Sequence, residues 1–417
     1  MTARADDGRA RIAADAIARR SYGKLVAFLA ARTRDVAAAE DALSEAFAAA
    51  LAEWPVKGCP SNPEAWLMTV ARRRLIDGAR HARVHDEAAA DLRLIAESLD
   101  AAGEGAIPDQ RLALLFACAH PAIDTSVRAP LMLQVVLGLD AKAIASAFLT
   151  SPDAMGKRLV RAKQKIREAG IPFRIPEREE LPARIDTVLA AIYAAFAEGW
   201  TDPVGTDAVR RDLAEEALFL ARLAAELLPD EAEVLGLLAL VLHAEARRRA
   251  RRDAAGEFVP LDAQDPCAWD AALIDEAEAL LHRACALGAI GRYQLEAALQ
   301  SAHVERRRSG RANWPAVVEL YDALFALTAS PVVAINRALA IAETLGPETA
   351  LAALPDVDAD ERLGRYQPYW AARAALLARN GSHAEAHAAY ELAIGLERDD
   401  AIRRFLQRRQ AALAASR

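Results

Sequence analysis

The strongest candidate for functional chemistry is a cluster of cationic side chains between residues 151 and 169, SPDAMGKRLVRAKQKIREA. The cations are Lys157, Arg158, Arg161, Lys163, Lys165 and Arg167. Guanidinium and ammonium groups bind phosphate oxygens and the acceptor atoms on base edges. A run of charges is also a common feature of an ordinary solvated helix surface. The cluster therefore leaves two interpretations open, a nucleic-acid contact or a solvated basic face.

The spacing of apolar residues in this run predicts a helix that presents the cations on its other faces. The apolar stripe, at intervals of three and four residues, is Met155, Leu159, Ala162 and Ile166. Ser151 or Asp153 is expected to cap the start of the helix, and Gly170 and Pro172 to end it. A shorter helix is predicted upstream, over Leu139–Phe148. A helix, a tight turn and a basic helix are typical of a helix-turn-helix unit, whose second helix enters the major groove of DNA.

Two helices nearer the N-terminus carry opposite charges. The first, Asp35–Trp54, has Glu40, Asp41, Ser44 and Glu45 on its outer side. The second, Glu64–His81, has a basic edge formed by Arg72, Arg73, Arg74 and Arg80. A helix over Arg9–Ala31 precedes them, and Pro55–Pro63 is predicted to be a loop because of its prolines and glycine. Each charged face taken singly is also compatible with an ordinary helix surface.

The composition indicates a globular chain that is nearly all helix. Hydrophobic residues make up 53% and charged residues 27% of the 417 residues, and periodicity typical of strands is scarce. The net charge of −7 excludes a generally basic nucleic-acid coat protein, so a DNA contact has to come from local basic patches. The cysteines are Cys59, Cys118, Cys267 and Cys285. They form no CxxC pair, which argues against a zinc site or a disulfide framework and is compatible with a reducing cytoplasm.

Several classes of protein lack support in the sequence. There is no Gly-rich phosphate loop, no Ser or Cys nucleophile with its base, and no His/Asp cluster with metal-ligand spacing, so we expect neither an enzyme nor a cofactor. The first fifteen residues are charged and have no apolar segment, which argues against a signal peptide. No run of 18 apolar residues predicts a membrane span.

The order of the N-terminal helices resembles region 2 of an extracytoplasmic-function sigma factor. That family shows an AED-x-x-Q-E-x-F run, and here Ala39, Glu40, Asp41, Glu45 and Phe47 match it. Its second run, W-L-x-x-x-A-R-N-x-x-x-D-x-x-R, is matched by Trp66, Leu67, Ala71, Arg72, Asp77 and Arg80. Ser44 replaces the usual Gln and Arg73 the usual Asn.

This resemblance implies roles for both helices. The first would dock on the β′ clamp helices of the RNA polymerase core through Glu40, Asp41, Ser44, Glu45 and Phe47. Loop Pro55–Pro63 would receive a flipped base of the promoter −10 element, because a shaped pocket can capture a base only after it leaves the stack. The residues implied for −10 contact are Lys57, Asn62, Trp66, Arg72, Arg73, Arg74 and Arg80.

The basic helix and the segment before it resemble sigma region 4, which reads the −35 element and meets the polymerase β flap. GLDAKAIASAF is similar to the family's G-L-x-x-x-E-I-A pattern, with Lys142 in place of the acidic residue. The resemblance implies −35 contacts for Ser151, Asp153, Ala154, Lys157, Arg158, Arg161, Lys165 and Arg167. Of these, Lys165 and Arg167 are expected to meet phosphate, because the N-terminal turns of such a helix reach deepest. His120, beside Pro121, is expected to be a cap or packing residue.

The C-terminal half contains a degenerate helical repeat. Its clearest copy has Trp370, Ala374 and Leu377, then Gly381, then Ala386, Tyr390 and Ala393, a spacing typical of tetratricopeptide helix pairs. An insertion follows Leu242, and it begins with the basic run Arg247–Arg252. That run is expected to be a solvated helix end rather than a nucleic-acid contact. A subgroup of extracytoplasmic-function sigma factors carries such an extension, and FACAHPAID and GIPFRIP resemble that subgroup.

These observations predict an all-α chain with three domains. Residues 1–82 would form sigma region 2, 83–108 a linker, 109–174 sigma region 4, and 177–417 a tetratricopeptide-like regulatory domain with a possible protein partner. The predicted function is to direct the RNA polymerase core to promoter DNA in the cytoplasm, without a membrane contact. The alternatives are a stand-alone helix-turn-helix regulator with a helical sensor domain, or an interaction scaffold whose N-terminal helices do not bind DNA.

Overall fold

The computed structural model describes residues 17, 21–82, 110–147, 150–177, 179–181, 184–200, 208–357 and 362–415. These residues form helices and connecting turns with no β-strand among them, which confirms the all-α prediction. The chain divides into two compact units, Met1–Ala224 and Ala225–Arg417. The predicted linker, residues 83–108, lies outside the described residues.

The described part of the first unit contains nine helices. They are α1 (residues 21–33), α2 (Val36–Lys57), α3 (Pro63–Ala82), α4 (Arg111–Cys118), α5 (Thr125–Val135), α6 (Ala141–Ala147), α7 (Pro152–Glu168), α8 (Ile185–Trp200) and α9 (Ala208–Leu227), which ends just past the boundary. We call α1–α3 the first bundle and α4–α7 the second bundle.

The first bundle packs around large buried side chains, among them Leu25, Phe28, Leu43 and Leu67. Asp35 caps α2, because its carboxylate accepts a hydrogen bond from the Ala38 N–H at 3.0 Å.

The prediction of a loop over Pro55–Pro63 is wrong at its start, because α2 continues through Pro55 to Lys57. Trp54 is buried and its ring meets Trp66 edge to face at 5.5 Å, which fixes the last turn of the helix against α3. The Gly58 N–H closes that turn on the Trp54 carbonyl.

The second bundle contains the predicted pair of a short helix and a basic helix. The short helix spans Ala141–Ala147 rather than Leu139–Phe148, and Phe148 itself lies outside the described residues. His120 stabilises the turn between α4 and α5, since its Nδ1 accepts a hydrogen bond from the Ala122 N–H at 3.1 Å. This confirms the structural interpretation of that histidine.

Helices α8 and α9 belong to the first unit, although they follow the proline-bracketed junction Ile171–Pro176. Helix α8 contacts α4 and α5. Arg111 on α4 forms an ion pair with Glu216 on α9, and its guanidinium lies 4.4 Å from the centre of the Phe219 ring. The compact units therefore divide at Ala224, well beyond the junction at which the sequence predicted a domain boundary.

The described part of the second unit is a series of helices, each packed against its neighbours along the chain. They are α10 (Ala232–Ala246), α11 (Ala271–Ala286), α12 (Arg292–Ser309), α13 (Trp314–Thr328), α14 (Pro331–Thr344), α15 (Pro347–Ala353), α16 (Gln367–Arg379), α17 (His383–Leu396) and α18 (Asp400–Ala415). Short 3-10 turns occupy Arg248–Arg251, Leu261–Ala263, Pro266–Ala268 and Leu363–Arg365.

The clearest predicted repeat forms a packed helix pair, α16 and α17. Ala374, Leu377, Ala386, Tyr390 and Ala393 are buried together in one cluster, with Trp370 packed against it. Gly381 lies in the turn with φ +79°, a conformation that favours glycine. Small residues at these points allow the two helices to approach closely.

The insertion between α10 and α11 contacts the last helix of the chain. Phe258 meets Phe405 edge to face at 5.4 Å, and Glu257 accepts hydrogen bonds from Arg404 and Arg408. Arg252 forms an ion pair with Asp399, and the Arg252 side chain is 8% exposed. The insertion therefore ties together elements that are far apart in the sequence.

The expectation that Arg247–Arg252 is a solvated helix end is wrong. Arg247 donates to Gln300, and Arg248 pairs with Glu245 on the preceding turn. Burial lowers the pKa of Arg251 to about 10, and the charges of its neighbouring arginines add to that effect. Arg247 and Arg252 are therefore used within the fold, and their partners Gln300 and Asp399 are too distant in the sequence for the local pattern to reveal them.

Candidate nucleic-acid interface

Helix α7 forms as its sequence predicts. The Ser151 hydroxyl accepts a hydrogen bond from the Ala154 N–H at 3.3 Å, so Ser151 is the cap, and Pro152 is the first helical residue. The four residues of the predicted stripe, Met155, Leu159, Ala162 and Ile166, are buried. Asp153 lies in the first turn, where its negative charge interacts favourably with the helix dipole.

The cations of α7 divide between two surroundings. Lys157, Arg158, Arg161, Lys165 and Arg167 have exposed side chains, as do Ser151 and Asp153, whereas Ala154 is half-buried. Lys163 is different, because it is turned toward the first bundle. The structure therefore brings these side chains together on a mainly exposed basic surface along α7.

An open cleft of about 500 Å³ lies between the start of α5 and α7. Arg158, Arg161 and Lys165 line one side of it, and Asp124 and Ser126 line the other. Hydrogen bonds from the Ser126 hydroxyl and N–H lower the pKa of Asp124, which keeps that carboxylate charged. The cleft is thus cationic on the α7 side, with a single carboxylate at the start of α5.

Lys163 contacts the first bundle. Its Nζ donates a hydrogen bond to Glu40 Oε2 at 2.7 Å, and the two side chains are 13% and 12% exposed. Arg167 Nη1 lies 3.3 Å from Asp35 Oδ2. The basic helix is therefore joined to α2 by two ion pairs, one of them nearly buried.

The backbones of the two bundles also touch. A Cβ atom placed on Gly23 of α1 would lie only 1.8 Å from the carbonyl oxygen of Val136 at the end of α5. Tyr22 packs against Gly138, so that a Cβ there would meet its ring at 3.3 Å. Residue 23 must be glycine for this approach, because any side chain would collide with backbone rather than with a movable group.

Burial dominates the electrostatics of Glu40. It raises the pKa of the Glu40 carboxyl above its ordinary value, although the hydrogen bond and positive charge of Lys163 lower it. Burial also raises the pKa of Tyr22 and of the Cys118 thiol, and in both cases the Glu40 charge adds to the effect. Glu40 thus lies in a crowded, poorly hydrated position rather than on an open surface.

The other predicted polymerase contacts remain accessible. Asp41, Ser44 and Glu45 are exposed, and Phe47 is half-buried. Glu45 Oε2 lies 3.1 Å from Arg74 Nε on α3, and both side chains are more than half exposed. Such an exposed pair contributes little to stability and can exchange partners.

The predicted −10 residues have different surroundings. Lys57 and Arg73 are exposed, and Lys57 forms an ion pair with Glu53. The Asn62 amide oxygen caps the start of α3 by accepting a hydrogen bond from the Ala65 N–H. Trp66 packs on Trp54, and Arg72 is half-buried with its guanidinium 6.0 Å from the centre of the Phe28 ring. Arg80 lies in α3, and its side chain is outside the described set.

The first bundle corresponds to a known family. Residues 17–84 match the family model described as Sigma-70 region 2. The chain contains a sigma-70 region 2. Helices α1–α3 are therefore the sigma-70 region 2 of this protein, which supports a role in transcription initiation.

A comparison over most of the chain gives a second result. An uncharacterized protein of Rhizobium meliloti (strain 1021) is 39% identical over 372 residues, which are 87% of each chain. The chain belongs to the same family as that protein. Residues 184–285 match a family of unknown function, DUF6596. No solved structure matches the chain.

The described residues contain neither a candidate membrane span nor a candidate metal site. Within that part of the chain, no helix combines the length and apolar character that crossing a membrane requires. Within the same residues, no group of three or more His, Cys, Asp or Glu side chains is arranged to hold a metal ion.

Proposed function

We propose that the protein is an extracytoplasmic-function sigma factor that directs RNA polymerase core to promoters from the cytoplasm, with a C-terminal regulatory domain. The observation that carries this proposal is the sigma-70 region 2 match, because a region 2 serves polymerase binding and promoter opening. The exposed basic surface of α7, on a second bundle, supports a separate contact with duplex DNA. The proposed activity is binding and positioning, without covalent chemistry.

Helix α7 is the proposed reader of the −35 element. Its first turns carry Lys157, Arg158 and Arg161 on the exposed side, where base edges in the major groove can be reached. Lys165 and Arg167, farther along the helix, are placed to meet phosphate. The cleft beside α7 is wide and cationic enough to accommodate a phosphate of the DNA backbone.

The first bundle is the proposed site of two contacts. Asp41, Ser44 and Glu45 on α2 would meet the polymerase β′ clamp helices, together with Glu40 and Phe47. On α3 and the loop before it, the exposed cations Lys57 and Arg73 would bind phosphates of the −10 element. Trp66 and Asn62 border that loop, and the loop itself is the proposed pocket for a flipped base.

The second unit is proposed to be a tetratricopeptide-like domain that regulates the sigma factor. Packed helix pairs with small residues at their contacts, such as α16 and α17, support this assignment. Arrays of this kind commonly bind proteins, and the proposed ligand class is therefore a protein partner.

Run-off transcription with bacterial core polymerase tests the proposal on the full-length chain. The wild-type protein is expected to select promoters, and the triple variant Lys157→Ala, Arg158→Ala, Arg161→Ala to lose −35-dependent transcription while still binding core. Lys165→Ala, which removes a proposed phosphate contact, should instead lower the slope of log affinity against log salt by about one. Lys142→Ala is the control, because this exposed cation lies on α6 and outside the proposed surface.

A charge reversal on α2 separates a sigma factor from a stand-alone regulator. The double variant Asp41→Lys, Glu45→Lys is expected to lose core binding and transcription, because both side chains are exposed on the proposed polymerase surface. Unchanged transcription and unchanged duplex binding by this variant would instead favour a regulator that works without polymerase. No effect of wild-type protein on any promoter template would refute the sigma assignment.

A further inference from the structure

We propose that Arg128, Arg174 and Arg184 form a binding site for a phosphate group, beside the contact between the second bundle and α8. We call these three residues the arginine cluster. Arg128 lies on α5, Arg174 lies in the junction Ile171–Pro176, and Arg184 immediately precedes α8. Such a site goes beyond the proposed function, because phosphate binding needs neither polymerase nor a promoter.

Arg184 is the buried member of the arginine cluster. The residue is 5% exposed, and its Nε has no hydrogen-bond partner. Within the described part of the chain, Arg184 pairs with Glu180, but Glu180 Oε1 lies 3.7 Å from Arg184 Nη2, which is longer than a hydrogen bond. A guanidinium presents five N–H donors in a fixed fork and stays charged. The fold thus buries a cation without satisfying its donors, and an unsatisfied buried donor requires an explanation such as a missing ligand.

Glu180 occupies the position that an external anion would take. Its Oε2 lies 2.9 Å from Arg174 Nη2, while its Oε1 faces Arg184, so one carboxylate is shared by two guanidinium groups. The side chains of Arg174 and Glu180 are 43% and 39% exposed, so Glu180 is free to turn toward water. Partly exposed ion pairs contribute little to stability. An incoming phosphate group can therefore replace Glu180 between the two arginines.

The charges around Arg184 favour an anion with more negative charge than one carboxylate. Burial lowers the pKa of the Arg184 guanidinium; the Glu180 charge raises it, and the charges of Arg174 and Arg128 lower it further. Glu177 lies 3.9 Å from Arg174, but its side chain is 78% exposed. A phosphate group offers more acceptor oxygens than a carboxylate and forms charge-assisted hydrogen bonds with guanidinium groups. It would therefore match the arginine cluster better than Glu180 does.

The backbone fixes the third arginine in place. Arg128 Nε donates a hydrogen bond to the Ile123 carbonyl at 2.9 Å, and Arg128 Nη2 donates to the Pro121 carbonyl at 3.2 Å. Both acceptors are neutral, so they orient the guanidinium without cancelling its charge. A cation that is already ordered loses little conformational entropy when it binds an anion.

The position of the arginine cluster gives the bound anion a structural effect. Arg128 and Arg184 belong to α5 and to the residue before α8, and α8 packs against α4 and α5. A phosphate group held by both residues would strengthen this contact. It would come either from a free phosphorylated small molecule or from the backbone of DNA bound by the second bundle. The chemistry of recognition is the same for the two sources.

Titration calorimetry with inorganic phosphate, on the full-length chain at constant ionic strength, tests the site. Wild type is expected to bind phosphate, and Arg174→Met to bind it at least roughly tenfold more weakly, because a charge-assisted hydrogen bond is lost. Arg184→Lys keeps the charge but removes the fork, and it should weaken binding similarly. Arg379→Met is the control, because this arginine of the second unit also pairs with a carboxylate and is 44% exposed. Circular dichroism shows whether each variant retains its helices.

Glu180→Gln should change the affinity in the opposite direction. It removes the carboxylate that competes for the arginine cluster, so phosphate should bind at least roughly tenfold more tightly than to wild type. Glu179→Gln, at the neighbouring exposed carboxylate, is the matched control and should bind like wild type. Misfolding of the variant cannot produce a gain in affinity.

Binding of duplex promoter DNA identifies the source of the phosphate group. If the ligand is a phosphate of the DNA backbone, Arg174→Met should lower the slope of log affinity against log salt by about one, and inorganic phosphate should compete with the duplex. If the ligand is a free small molecule, Arg174→Met should leave duplex binding unchanged while still weakening phosphate binding. Either result supports the site.

Equal phosphate binding by wild type, Arg174→Met and Glu180→Gln would overturn the assignment, because phosphate would then bind elsewhere or not at all. The phosphate titration contains neither polymerase nor promoter DNA. Its failure would therefore leave the sigma-factor proposal standing, and failure of run-off transcription would leave the phosphate site standing.

Discussion

The close approach of α1 to α5 can be tested by adding one methyl group. In a solvent-exposed helix, Gly→Ala normally stabilises by about 1 kcal/mol because alanine has the higher helix propensity. Gly23 is helical, but its Cβ position lies 1.8 Å from the Val136 carbonyl oxygen. Gly156 on α7 is also helical, and no heavy atom outside its own helix backbone and chain neighbours lies within 4 Å of its Cβ position. Gly23→Ala and Gly156→Ala therefore make a matched pair, in which the first is expected to lower the free energy of unfolding and the second to raise it.

The size of the expected destabilisation follows from the 1.8 Å between the Cβ position of residue 23 and the Val136 carbonyl oxygen. Ordinary contact between a carbon and another heavy atom needs about 3.5 Å, so α1 or α5 has to move by roughly 1.7 Å in Gly23→Ala. Inserting a methyl group into a packed contact costs about 1–3 kcal/mol, and the upper half of that range, about 2–3 kcal/mol, applies here because backbone has to move. After the gain in helix propensity, we expect a net loss of about 1–2 kcal/mol in Gly23→Ala and a gain of up to about 1 kcal/mol in Gly156→Ala.

Differential scanning calorimetry of the full chain measures both effects. For a unit of this size, the transition of the first unit should fall by roughly 2–8 °C in Gly23→Ala and rise by a few degrees in Gly156→Ala. A Gly23→Ala transition at or above the wild-type temperature would refute the reasoning. It would mean that α1 does not lie against the end of α5 in solution.

Two further predictions concern the second unit. Burial, together with the charge of Arg247, lowers the pKa of His243 from 6.5 to about 4. The fold therefore has its full stability above pH 6.5 and loses up to about 3 kcal/mol as the pH falls toward 4, because only the unfolded chain takes up the proton in that range. Hydrogen exchange should show that this loss of stability is reduced in His243→Leu. The control His282→Leu, at an exposed position, should retain the loss. The same loss in both variants would contradict the assignment of this pH dependence to His243. Arg252→Met should lower the free energy of unfolding of the second unit, measured in urea, by about 1–3 kcal/mol, because it leaves Asp399 without the Arg252 cation. The control Arg379→Met, at an exposed ion pair, should have little effect. Equal urea midpoints for Arg252→Met and wild type would show that the Arg252–Asp399 ion pair does not stabilise the second unit.

Features that depend on local sequence were predictable. The periodicity of Met155, Leu159, Ala162 and Ile166 predicted a buried stripe, and all four side chains are buried. The cap at Ser151 followed from its hydroxyl oxygen and the proline after it. The helix pair α16–α17 followed in the same way from the spacing of small and aromatic residues. In each case the information lies within one or two helices.

Features that depend on distant partners were not predictable. Lys163 was grouped with the other cations of α7, and nothing near it in the sequence indicates that it pairs with Glu40. Arg252 was expected to be solvated, but its partner Asp399 lies 147 residues away. A charged side chain in the sequence gives no sign of whether it meets water or an opposite charge after folding.

The predicted loop over Pro55–Pro63 failed for a related reason. Proline usually disfavours the interior of a helix. Here the packing of Trp54 on Trp66 holds the last turn of α2 in place, and Pro55 is accommodated within it. Tertiary packing therefore decided the end of the helix against the local preference.

The position of α8 has a consequence for the evolution of the chain. The segment that matches the family of unknown function, residues 184–285, begins in the first unit and ends in the second. The first helix of this segment is α8, which contacts α4 and α5. A gene fusion that joined the segment to an unrelated domain at residue 184 would therefore separate α8 from the two helices against which it packs. We therefore expect natural chains that contain this segment to carry a bundle like α4–α7 immediately before it, inherited as one piece.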